Sequence, residues 1–131
     1  MATQLNSSCT QAMQPDLRSF IVFDQITAGL GHFEVVDDWN SPHLRAGDVA
    51  LIDYSDNEPC HGELFVVQWQ SAPDPEIVEV FWMPKLGCWG TRVTCAELEG
   101  VRRCGDWGYT DRGMADRILG RVVGIYEGAG A

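Results

Sequence analysis

The sequence predicts a mostly-β chain folded as a strongly bent sheet or partial barrel. Three observations carry that reading. The apolar residues fall in short runs rich in Val, Ile, Phe and Trp. Gly, Pro, Asp and Asn bound those runs, as they do between strands and turns. No segment holds a helical period over about twelve residues, and runs this short and β-branched favour strand over buried helix.

The elements follow in order. Residues 1–17 are polar, with Ser7, Ser8 and Thr10 ahead of Pro15, and read as a flexible tail; residues 18–131 read as one β domain. The first run is Ser19–Phe23 (SFIVF), and Phe33–Val36 (FEVV) follows the glycine-bearing AGLG. Asp48–Tyr54 (DVALIDY) comes next, then Glu63–Gln70 (ELFVVQWQ) after the turn-rich SDNEPCHG. In that run Phe65, Val67 and Trp69 share one face of the pleat and Leu64, Val66 and Gln68 the other. Glu76–Trp82 (EIVEVFW) follows the turn SAPDP, and Thr91–Ala96 is a weaker strand. Ile118–Tyr126 (ILGRVVGIY) closes the fold, with Gly120 and Gly124 marking a bend or a close backbone approach.

Composition narrows the function. At 131 residues the chain is long enough for one self-supporting core. Its net charge of −10 repels phosphate backbones, so direct DNA binding is not expected. The bases are Arg18, Arg45 and Lys85 up to residue 90, with the six others beyond it. The first ninety residues therefore hold the excess of acid, as solubilising charge or as a face for a basic partner. No run nears the roughly eighteen apolar residues of a membrane span, and the N-terminus lacks the basic-then-apolar pattern of a secretory signal. Cys9, Cys60, Cys88, Cys95 and Cys104 are irregularly spaced, and His32, His43 and His61 are scattered. No metal site and no cofactor are expected, and reduced thiols in a cytoplasm are the simplest account.

Three segments together carry a family resemblance: Leu44–Asp53 (LRAGDVALID), Gly62–Val67 (GELFVV) and Ile118–Ile125 (ILGRVVGI). This series resembles the Ser/Lys peptidase domain of LexA, UmuD and phage repressors, whose fold is of the signal-peptidase type. The resemblance implies a bent sheet of the LexA C-terminal type, with a serine nine or ten residues before the Asp of Gly-Asp. Counted from Asp48, that position falls on Trp39 or Asp38. The lysine should follow a Val on the alternating strand, where Val80 is followed by Phe81. A Ser/Lys dyad needs a hydroxyl and a neutral amine within hydrogen-bond reach, and Trp39 and Phe81 offer neither. The chain therefore reads as a pseudo-peptidase, with Trp39 and Phe81 side by side in the old cleft.

Three functions compete. The first is an inactive dimerisation or protein-binding domain in phage or DNA-damage regulation, with Trp82, Trp89 and Trp107 beside glycine turns as interface aromatics. The resemblance implies a homodimer through the C-terminal strand. Ile118, Val122, Val123 and Ile125 would form the contact, because a terminal strand apolar on both faces needs cover on both. The second is an active peptidase using the fallback pair Ser41 and Lys85, the only lysine of the chain. The third is an acidic mimic of nucleic acid that occupies a basic protein.

Overall fold

The computed structural model describes residues 20–95 and 107–127. The predicted tail 1–17, Cys9 and Cys104 lie outside them. Eight strands and one helix follow in chain order: β1 (Ile21–Phe23), β2 (Gly31–Glu34), β3 (Val49–Asp53), β4 (Glu63–Val67), β5 (Glu76–Met83), β6 (Cys88–Arg92), β7 (Trp107–Tyr109), α1 (Asp111–Arg117) and β8 (Ile118–Tyr126). The chain is mostly β, as its sequence predicts. The strands form one open sheet in the order β2-β3-β8-β4-β5-β6-β7, antiparallel throughout, and β1 adds in parallel to β8.

The sheet carries a core on each face. Leu64 and Val66 of β4 join Val35, Leu44, Ala50, Ile52, Ile77, Val122 and Ile125. Phe65 and Val67 point the other way and join Cys60, Val78, Val80, Met114 and Ile118. The alternation read from ELFVVQWQ thus puts a side-chain set into each core, and Trp69 packs against the second. All five residues of β4 are buried. Met114, the one buried residue of α1, closes the second core, and Thr110 caps that helix by accepting from the Gly113 N–H.

The closing strand departs from its expected role. Its C-terminal half pairs with β3 along one edge and β1 along the other, and its N-terminal half pairs with β4. Register shifts opposite Leu51/Ile52 and Val66/Val67 leave Val123 and Leu119 as extra residues. Each bulge advances the two-residue period by one. Ile118 therefore enters one core while Val122 and Ile125 enter the other. Ile118, Val122 and Ile125 are buried inside the single chain and Val123 is half-buried. Strands of the same chain thus pair along β8 at the four residues expected to form the dimer contact.

The close approaches expected at Gly120 and Gly124 are present. A Cβ on Gly120 would stand 2.8 Å from the Asp53 carbonyl oxygen and 2.9 Å from Tyr54 Cα, and one on Gly124 2.7 Å from the Ile21 carbonyl oxygen. The strand expected at Thr91–Ala96 instead spans Cys88–Arg92, because Gly90 belongs inside it. A Cβ there would meet the Phe81 ring at 2.9 Å and Trp107 at 3.1 Å. β7 and α1 were not expected, since three and seven residues leave no period to detect. Cys60 is in a disulfide whose partner lies outside the described residues, while Cys88 and Cys95 are free. The reading of uniformly reduced thiols is corrected at Cys60.

Because backbone rather than a flexible side chain crowds Gly120, Gly120→Ala should lower unfolding stability by roughly 1–3 kcal/mol. Denaturant titration of the variant against the parent chain measures it.

Candidate functional site

The Gly-Asp loop is built from short polar ties. Asp38 accepts from the Ala46 N–H and Asp48 from the Arg45 N–H, both at 2.8 Å. Gly47 takes the left-handed conformation (φ +94°), and its N–H reaches the Val35 carbonyl. Asn40, buried below this loop, is the clamp. Its Nδ2 donates to the Ile77 carbonyl at 2.8 Å, and its Oδ1 accepts from the Thr94 N–H. The Cys95 N–H donates to the Trp39 carbonyl, and Thr94 Oγ1 donates to the Ser41 carbonyl. Residues 39–41 are thereby fixed at the open end of the β5–β6 hairpin.

Lys85 lies in the exposed turn at the other end of that hairpin. At about 3.3 Å per residue, the path from Ile77 to the turn is roughly 20 Å or more. Ser41 and Lys85, the fallback pair, lie at opposite ends of that hairpin. Phe81 faces Gly90 further along the same hairpin, with the Arg92 guanidinium 4.4 Å from its ring centroid. Trp39 and Phe81 thus belong to two levels of one hairpin, Trp39 at its open end and Phe81 towards its turn.

The three tryptophans divide into a pair and a single residue. Trp82 and Trp89 form an edge-to-face pair at 5.1 Å, and Trp89 Nε1 donates to Asp111 at 2.7 Å. Trp82 and Leu86 remain open to solvent. The Trp82 backbone N–H donates to His61 Nδ1 at 2.9 Å. Trp107 pairs with Gly90, on the opposite face from Trp89, and is 60% exposed.

A charged cluster that sequence reading missed sits where β4 and β8 meet. Arg121 Nε bonds Asp56 at 2.8 Å, and its Nη1 lies 3.8 Å from Glu63. The Arg121 and Glu63 side chains are only 14% and 8% exposed. Burial raises the Glu63 carboxyl to about 7; Arg121 opposes the shift, and Asp56 and Glu79 add to it. Glu79 itself pairs with Arg92 at 2.8 Å. The available signal was one arginine inside an otherwise apolar run and one glutamate leading another. Nearby His43 is buried with Nδ1 lacking a hydrogen-bond partner, and burial lowers its pKa against the attraction of Glu79.

Five carboxylates serve the fold, Asp38 and Asp48 in the loop and Asp56, Glu63 and Glu79 beside arginines. Among the described residues no group of three or more His, Cys, Asp and Glu is placed to hold a metal ion. None of their helices is long and apolar enough to cross a membrane. No protein-family model, curated protein or solved structure matches the chain.

Glu63 binds its proton more tightly folded than unfolded, so its contribution falls as pH rises from about 4.5 and levels off above about 7. The full swing is roughly 3 kcal/mol. Glu63→Gln should match the parent chain near pH 5 and exceed it in stability at pH 8. Thermal melts of both proteins across that range check the sign.

Proposed function

We propose that the chain is a catalytically inactive domain of the LexA/UmuD type that binds protein rather than cutting it. The inactive reading is supported by the hairpin's length between Ser41 and Lys85, since a Ser/Lys pair works only within hydrogen-bond reach. Trp39 and Phe81, at the positions aligned with the dyad, supply neither group. The binding reading is carried by one observation, the Trp82–Trp89 pair with Trp82 and Leu86 left in solvent. Aromatic surface held rigid and open is the material of interface hot spots. Direct DNA contact is not part of the reading, because a net charge of −10 repels phosphate.

The occupant of that hairpin surface is a second copy of the chain. This moves the proposed homodimer from β8 to the β5–β6 turn. Sedimentation at micromolar concentration should give a dimer, and Trp82→Ala with Leu86→Ala should yield a folded monomer. A parent chain that stays monomeric removes the homodimer. Intact mass should hold constant at mildly alkaline pH; fragments abolished by Ser41→Ala would overturn the inactive reading.

The resemblance points to the cytoplasm and to phage or DNA-damage regulation. The Cys60 disulfide points instead to an oxidising compartment. Alkylation of denatured, unreduced protein followed by peptide mass mapping separates them: Cys88 and Cys95 should be labelled, and Cys60 only after reduction.

A further inference from the structure

The segment between β3 and β4 is held down by very little. Ser55 N–H and Oγ both bond Asp53, the Asp56 N–H reaches the Asp53 carbonyl, and the Glu58 N–H reaches Asp56 Oδ1. These ties are local to the segment. Among the described residues, Asp56 on Arg121 is the hydrogen-bonded side-chain tie from residues 54–59 to the sheet, beside the Tyr54 ring packed over Gly31. Cys60 and His61 anchor only its end, through the disulfide and the Trp82 N–H.

Arg121 faces two carboxylates and satisfies them unequally. Asp56 has the Nε hydrogen bond, whereas Glu63 stands at 3.8 Å, an ion-pair distance too long for a hydrogen bond. A buried, ionised Glu63 would lack a close donor, and a buried charge so placed is costly. We propose that Arg121 is a latch shared between the two: while Glu63 keeps its proton Arg121 clips residues 54–59 to the sheet through Asp56, and ionisation of Glu63 draws the guanidinium inward and frees them.

The charges around Glu63 favour this exchange. Asp56 from the loop and Glu79 from β5 both repel its anion, and Glu79 is already taken by Arg92 of β6. His61, two residues upstream, has Nδ1 engaged with the Trp82 N–H. Arg121 of β8 is the cation left to answer. The raised pKa of about 7 places the exchange near neutral pH. The proton leaves to solvent, and no other group is consumed.

Hydrogen exchange of the intact chain, corrected for the intrinsic pH dependence, tests the latch. Between pH 5.5 and 8.5 exchange at Asp56 and Glu58 should rise about tenfold relative to β5. Glu63→Gln should keep those amides protected throughout, and Asp56→Asn should leave them open throughout. Equal exchange in the parent chain and Glu63→Gln at every pH, or lasting protection in Asp56→Asn, would overturn the proposal. Should a variant fail to fold, NMR titration of the parent chain decides: the Arg121 Nε resonance should move with the midpoint of the Glu63 carboxyl, and independent midpoints would sink the latch.

Discussion

The structure depends on β4 being buried on both faces at once. A strand of five buried residues cannot be satisfied by one core, so the chain must place apolar cover on each side of it. Leu64 and Val66 gather the β2–β3 side and the Gly-Asp loop, while Phe65 and Val67 gather α1 and the hairpin. Each side chain fully removed from water contributes about 1.5–3 kcal/mol, so the four together outweigh any single polar tie in the molecule. The position of β8 follows from the same demand. It must flank β4 and still feed both cores, and its two bulges let one strand do so.

The charged cluster is a consequence of that packing. Arg121 lies between the two bulges, opposite Phe65, where β8 passes from serving one core to serving the other. Its guanidinium is nearly enclosed and needs carboxylates; Asp56 comes from the loop and Glu63 from the start of β4. One cation serves a buried acid and a partly exposed one, and the Glu63 carboxyl, raised first by its burial, shows the deficit. Asn40 solves the corresponding problem on the other side by neutral hydrogen bonds alone, tying the Gly-Asp loop to Ile77 and Thr94. That loop consequently carries Ser41 to the end of the hairpin furthest from Lys85.

The same hairpin distributes its aromatics by strand alternation. Trp89 turns towards Trp82 and Tyr109, while Gly90 leaves room for Phe81 and Trp107 on the reverse face. Two separate aromatic surfaces result from what the linear order GCWG and GDWG presents as one group. Only the Trp82 side combines an aromatic pair with an exposed aliphatic neighbour at a turn.

The sequence by itself determined the strand content, because period-two runs broken by Gly, Pro and Asp are a local property that needs no partner. It also determined the two faces of β4 and the crowded positions of Gly120 and Gly124, since alternation and a missing Cβ are both written in single residues. Residues 107–117 were illegible for the opposite reason: a three-residue strand and a two-turn helix with Met114 as its one buried side chain carry no period. Only the tertiary structure decided which edges of β8 are free, because pairing is a relation between distant segments. Val123 and Leu119 look like ordinary strand positions until β3 and β4 skip past them. The Arg121–Asp56–Glu63 cluster was likewise hidden, since the residues are joined across three elements by burial. A charge in an apolar run declares its cost in sequence, but its partner is chosen by the fold.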